Sequence, residues 1–446
     1  MAYVLNTPDD QREMLDAIGV GSIAELFDSI PDELRLGRPL SLPPAMAEIE
    51  LTAHLGELAR RNASCADRVC FLGGGSYDHF IPAIVDTIAA RGEFYTAYTP
   101  YQPEASQGSL QAFFEYQTLV CQLTGMDVSN ASLYDGASAT AEAVLMALAV
   151  TRRHGRVIVA ESVHPEYRQV LSTYLGHHEA ELVTAPTSGG ALAADVLKKQ
   201  LTATTACVVV EHPNFFGALE DVRSLGRAVH DAGALFVVIV DPVSLGLLER
   251  PGDYGADIVV AEGQGLGNPM AYGGPYLGIL ATREEYVRRL PGRIVGETVD
   301  RHGRRAFVLT LQTREQHIRR EKATSNICTN QGLLALRAAV YLAAMGPQGM
   351  REVAALCCQK AHYAANRLAA IDGLSLRFGG PFFKEFVVRS SKDVGPLLDA
   401  LGEQGFHAGV PLARWYPELK DCYLMAVTEK RTRAEIDRLA EAAATL

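Results

Sequence analysis

Phe236-Val-Val-Ile-Val-Asp-Pro-Val243 is an apolar, β-branched run that ends on a carboxylate. Ile258-Val-Val-Ala-Glu-Gly-Gln-Gly-Leu266 follows it as a second run that ends among glycines. Neither run alternates with polar residues, so each reads as a strand buried on both faces. Working outward, Val157-Ile-Val159 and Val208-Val-Val210 repeat the pattern, and helix-like stretches such as Asp221 to Ala232 lie between several of them. Short buried strands alternating with helices predict a mostly parallel sheet covered on both sides, an α/β fold.

The flanks read differently. Residues 1–62 form an N-terminal arm, broken by Gly19, Gly21, Pro31, Pro39, Pro43 and Pro44 before a helix from Met46 to about Arg61. Residues 63–330 carry the large α/β domain. It includes the turn Phe71-Leu-Gly-Gly-Gly-Ser-Tyr77, whose glycines permit positive φ, and a helix from Ser109 to Thr124 with Leu110, Phe113, Phe114 and Val120 on one face. After Gln331 the pattern turns helical, from Leu333 to Ala344 and from Arg351 to Ala370. Short strands at Phe386-Val-Val388 and Tyr423 to Val427 then predict a smaller α+β domain over residues 331–446.

Composition narrows the function classes. The 446 residues are 48% hydrophobic and 21% charged, as in a globular protein with a large core. A formal charge of −11 argues against nucleic acid as a partner, because phosphate binding wants clustered Lys and Arg. No apolar stretch approaches the roughly 20 residues that span a bilayer, and Met1 to Gln11 lacks the pattern of a secretory signal. The eight cysteines form no C-x-x-C pair, and adjacent Cys357 and Cys358 read as small core residues. The expectation is a reducing, cytoplasmic location with no membrane attachment.

Three segments can carry chemistry. In Tyr134-Asp-Gly-Ala-Ser-Ala-Thr-Ala-Glu142 a glycine turn enters a helix, and its N–H groups beside Ser138 and Thr140 can hold a phosphate. The plainer reading is an ordinary helix start capped by Ser138. Asp241 closes an apolar strand, where an aspartate can pair with a cofactor's pyridine nitrogen or can merely start a turn before Pro242. The Gly-rich loop Ala261 to Pro275 comes third. An aldimine-forming lysine would be expected some 23 residues after the aspartate (264 − 241), where Gln264, Gly265 and Leu266 stand. None of these is a primary amine, so none can form a Schiff base.

The lysine census sharpens the point, since Lys198 and Lys199 are followed next by Lys322. Lys322, in Arg319-Arg-Glu-Lys-Ala-Thr-Ser-Asn326, is a candidate for a displaced catalytic lysine, but its charged neighbours suggest an exposed segment that would not lower its pKa. The histidines show no metal spacing. His164, in Ser162-Val-His-Pro165, either stacks on a planar cofactor or is a satisfied structural residue.

Several long strings together resemble one family. They are Phe71 to Pro82, Tyr95-Thr-Ala-Tyr-Thr-Pro-Tyr-Gln-Pro-Glu-Ala-Ser-Gln-Gly108, Tyr134-Asp-Gly-Ala137, Arg320-Glu-Lys-Ala-Thr-Ser-Asn-Ile-Cys-Thr-Asn330, Tyr416-Pro-Glu-Leu419 and Val427-Thr-Glu-Lys-Arg-Thr432. The chain is similar, from Asn6 to its end, to glycine dehydrogenase (decarboxylating) subunit 1, the alpha subunit of the split P-protein of the glycine cleavage system. The resemblance implies a fold-type-I pyridoxal-phosphate architecture and a partner, glycine dehydrogenase subunit 2 (the beta subunit), that holds pyridoxal phosphate on its own lysine. It further implies that the complex decarboxylates glycine and passes the aminomethyl group to the lipoyl arm of the H-protein, alongside the T- and L-proteins.

On that footing this chain has no catalytic residue of its own. Ser138, Thr140, His164 and Asp241 become candidate remnants of a lost cofactor site, and no metal is expected. Thr99, Tyr101, Gln102, Glu104 and Gln107 become candidates for completing the partner's pocket across an interface. The alternatives are a self-sufficient enzyme using Lys322 and a scaffold that only binds the H-protein.

Overall fold

The computed structural model describes residues 5–446, in two compact units, Met1–Ala63 and Ser64–Leu446. In the first unit, helix Pro8–Ile18 starts at a capping box in which Thr7 and Asp10 bond each other's backbone N–H. A second helix spans Glu48–Ala59. Among the described residues of this unit no side chain is buried, and large apolar groups such as Leu40, Leu42 and Ile49 are exposed.

The second unit is built on a seven-stranded sheet. Its strands are β1 (Val128–Ser129), β2 (Arg156–Ala160), β3 (Glu181–Ala185), β4 (Thr205–Glu211), β5 (Leu235–Val240), β6 (Ile258–Glu262) and β7 (Gly278–Thr282). They lie in the order β1-β7-β6-β5-β4-β2-β3. The five strands from β6 to β3 are parallel, and β7 and β1 are antiparallel at one edge. All six residues of β5 are buried, as its unbroken apolar run requires. Helix Gly136–Thr151 packs on the sheet through a small-residue face that includes Ala139, Ala143 and Ala147, and the absence of bulk there lets helix and sheet approach closely.

Three features differ from the expectation. Strands β3 and β7 and the hairpin Ile294–Val299/Arg305–Thr310 were not foreseen. The two helices expected after Gln331 are both present in the stretch Gly332–Ala369, which breaks between them where Gly346 takes a non-helical φ of 61° and ψ of 179° before Pro347. Its first half packs Ala335, Ala338, Tyr341 and Leu342 against the sheet's core. Its second half packs Ala361, Ala364, Ala365 and Leu368 against a second core.

That second core belongs to a four-stranded antiparallel sheet. Its strands run in the order Leu374–Leu376, Glu385–Ser390, Cys422–Ala426, Val410–Pro411, with helices Val394–Glu403 and Arg433–Thr445 packed on it. Among the described residues no helix is long and apolar enough to cross a membrane.

Candidate functional site

The C-terminal ends of β4, β5 and β6 place Glu211, Asp241 and Glu262 side by side, at the edge where parallel sheets hold ligands. The turn Gly75–Tyr77 and the segment Phe383-Lys384-Glu385, which enters the C-terminal sheet, close over them. What remains is a cavity of about 30 Å³, room for one or two waters.

Asp241 is not free for a ligand. Lys384 Nζ lies 2.8 Å from Asp241 Oδ2, and the Lys384 residue is 1% exposed. Asp241 Oδ2 has no hydrogen bond of good geometry, so the contact is a through-space ion pair, while Asp241 Oδ1 accepts from Val243 N at 3.1 Å. The Lys384 ammonium also sits 3.3 Å from the centre of the Tyr77 ring and 3.0 Å from His79 Nε2. His79 Nδ1 faces Glu429 Oε2 at 2.6 Å. With an ammonium at Nε2 and a carboxylate at Nδ1, the ring accepts at the first and donates at the second.

Burial raises the Glu429 carboxyl, but the hydrogen bonds from His79 and from Phe80 N outweigh it and bring the group down to about 2. His79, Cys357 and Glu429 lie close enough to hold a metal ion. The Lys384 ammonium, however, already supplies the positive charge at His79.

The start of helix Gly136–Thr151 is spoken for in the same way. Gly136 N donates to Glu262 Oε2 at 2.9 Å, and Ser138 N donates to Asp135 Oδ1 at 2.7 Å. Asp135 is therefore the cap; Ser138, expected in that role, supplies the capped N–H instead. Thr140 turns its hydroxyl back onto Gly136 O within the helix. Burial pushes Glu262 up to about 8, against the pull of backbone donors at Leu277, Gly136 and Gln264. Burial likewise raises Glu385 to about 7 and moves Glu211 well above the ordinary carboxylate range.

In the Gly-rich loop, Gln264 is 2% exposed and fully engaged. Its Oε1 accepts from Tyr77 N at 2.8 Å, and its Nε2 donates to Tyr77 O at 3.1 Å and Asn268 O at 2.8 Å. Gly265 lines the cavity, and Leu266 is wholly buried in the core.

The other expected residues fall as follows. His164 stacks on Tyr167 at 4.8 Å, bonds Gly74 O through Nε2, and accepts from Glu166 N at Nδ1; burial lowers its pKa. Lys322 is exposed in a short turn and does not line the Asp241 cavity. Gln107 pins the hairpin, exchanging hydrogen bonds of 2.9 Å with both backbone groups of Phe307. Tyr101 Oη accepts from the buried Arg293, while Gln102 and Glu104 are exposed. Thr99 lines a separate cavity of about 260 Å³ with Tyr95, Tyr98, Phe113, Asn330 and Gln331.

These residues do not fit pyridoxal phosphate. A pyridine nitrogen would find Asp241 already paired with Lys384. A phosphate would meet helix N–H groups bonded to Asp135 and Glu262, in a cavity lined by four carboxyl groups (Glu211, Asp241, Glu262 and Glu385). Gln264 offers no amine. Lys384 is not legible from the Gly-rich loop, because the fold brings it in from 120 residues downstream (384 − 264). Its only local signal is a lysine inside the apolar Phe382-Phe-Lys-Glu-Phe386 run.

Comparison with known proteins agrees with this architecture. The family profile described as "Glycine cleavage system P-protein" matches residues 1–442. The chain is 54% identical over 441 residues to the probable glycine dehydrogenase (decarboxylating) subunit 1 of Carboxydothermus hydrogenoformans, covering 99% of each. It is 53% identical over 444 residues to the corresponding protein of Geotalea daltonii, again with 99% of each covered. Among solved structures, the inhibitor-bound glycine decarboxylase (P-protein) of the glycine cleavage system matches all of both chains, with a TM-score of 0.91 and 48% identity. A sphingosine-1-phosphate lyase from Burkholderia pseudomallei, at 16% identity, matches 93% of this chain and 94% of its own with a TM-score of 0.67, which speaks to the fold alone.

Proposed function

Because the chain belongs to the glycine cleavage system P-protein family, we propose that it serves as the lysine-less subunit of a two-chain glycine dehydrogenase. Its second subunit holds pyridoxal phosphate, whose ring supplies the electron sink for glycine decarboxylation. The complex hands the aminomethyl group to the lipoyl arm of the H-protein, and the T- and L-proteins act downstream. The working location is the cytoplasm.

The observation that carries this reading is Gln264. The position of the Schiff-base amine holds an amide bound into the backbone by three hydrogen bonds, so the chain is built around the loss. The contribution to activity is then structural. The segment from Thr99 to Gln107, held in place through Arg293 and Phe307, presents Gln102 and Glu104 for completing the partner's pocket.

Reconstitution tests the proposal. Glycine–bicarbonate exchange is measured for the second subunit alone, for this chain alone and for the mixture, with the cofactor counted per chain. The expected result is exchange only in the mixture and cofactor only on the second subunit. Exchange by this chain alone would overturn the reading, and full exchange by the second subunit alone would reduce this chain to a passive scaffold.

A further inference from the structure

We propose that Lys384 is an internal ligand of the former cofactor pocket, its ammonium standing where a cofactor's protonated pyridine nitrogen would pair with Asp241. The inference rests on the reading that this chain carries no cofactor, and it goes beyond that reading by naming what replaced it.

Asp241 sits at the end of β5, an orientation set by its Oδ1 bond to Val243 N. A buried carboxylate there needs a cationic partner, since an unpaired charge in the interior is costly. Lys384 supplies that partner at 2.8 Å, with its ammonium over Tyr77, a flat ring whose electron-rich face stabilises a cation. His79 Nε2 takes a further hydrogen of the ammonium, and Glu429 fixes the ring from its far side. The cation thus has a carboxylate, an aromatic face and an imidazole acceptor arranged around it.

The substitution has a mechanical consequence. Lys384 immediately precedes strand Glu385–Ser390, so the ion pair ties the C-terminal sheet to the end of β5. Glu385 adds to the same closure by accepting from Gly74 N at 2.7 Å and from Tyr77 Oη at 2.8 Å. A chain with a bound cofactor could use that cofactor to hold these parts together. Here side chains do it, and the closed shape is kept at every cofactor concentration.

The test uses the complex with its second subunit. Lys384→Met, Asp241→Asn and the double variant are compared by thermal midpoint and by susceptibility to limited proteolysis at residues 374–384. Each single variant is expected to lower the midpoint and open the segment, and the double variant to recover most of both, because it leaves no buried charge unpaired. If the two single effects simply add, or if Lys384→Met is as stable as the parent, the proposal fails.

Should the variants not assemble, the unaltered complex decides the matter. Native lysine methylation with formaldehyde and borohydride, mapped by mass spectrometry, should leave Lys384 unmodified with or without added pyridoxal phosphate. Modification of Lys384 to the extent of the exposed Lys322 overturns the proposal. The two readings fail separately: cofactor trapped on this chain sinks the functional assignment, whereas loss of coupling between Lys384 and Asp241 sinks only the internal ligand.

Discussion

Restoring the missing amine by Gln264→Lys tests whether one substitution silenced this chain. Gln264 is buried and makes three hydrogen bonds to the backbone of Tyr77 and Asn268. A lysine has donors but no acceptor, so Tyr77 N–H loses its partner outright. An unsatisfied buried donor costs about 1–3 kcal/mol, and each of the two bonds donated by the amide is worth about 1 kcal/mol net where the amine cannot reproduce it. The sum is ~3–5 kcal/mol before any penalty for burying the new charge. At ~2 °C or less per kcal/mol for a chain of this size, the thermal midpoint should fall by several degrees.

The new amine should also fail to capture cofactor, because Lys384 still holds Asp241 and Glu262 still holds Gly136 N. The assay is differential scanning fluorimetry on the variant chain, followed by incubation with pyridoxal phosphate, borohydride reduction and peptide mapping. A variant as stable as the parent that acquires one pyridoxyl group at residue 264 would refute the reasoning, since the absent lysine would then be the only lock.

Other outcomes follow from the same geometry. Glu429 is held down to about 2 from an ordinary 4.5, so the stability it contributes is present above pH 4.5 and is lost as pH falls towards 2; acid unfolding of Glu429→Gln should lack that component. Glu385 has the opposite sign. With its carboxyl raised to about 7, stability declines as pH climbs from 4.5 through 7, and Glu385→Gln should flatten the decline in a pH series of urea titrations. Gly217 takes φ 80°, and a Cβ there would lie 1.9 Å from Glu385 O, so Gly217→Ala should cost more than about 3 kcal/mol in urea unfolding by separating the loop from the C-terminal sheet. The exposed pair Gln102→Ala/Glu104→Ala should leave the midpoint within about a degree, yet lower exchange by the reconstituted complex about tenfold, equivalent to ~1.4 kcal/mol of transition-state stabilisation. Unchanged exchange would remove that segment from the partner's pocket.

Much of this protein was legible from residue order, because the governing physics is local or periodic. Unbroken Val and Ile runs cannot face water on either side, so they specified the buried parallel strands β2, β4, β5 and β6. The composition of the Gly-rich loop showed that no amine was available at Gln264, since the absence of a functional group needs no structure to establish. The edge strand β3 and the hairpin escaped because their residues are mixed and half-exposed, and β7, wholly buried between β1 and β6, because its run is short and opens on Gly278.

The pocket's contents were decided only by tertiary structure. Asp241 and Lys384 are 143 residues apart (384 − 241), and a charge has no sequence periodicity that announces its partner. Either residue alone reads as a turn former or a solvated surface lysine. Their 2.8 Å contact arises because the kinked helix Gly332–Ala369 carries the chain back over the sheet, setting strand Glu385–Ser390 against the end of β5, where a buried carboxylate required a cation.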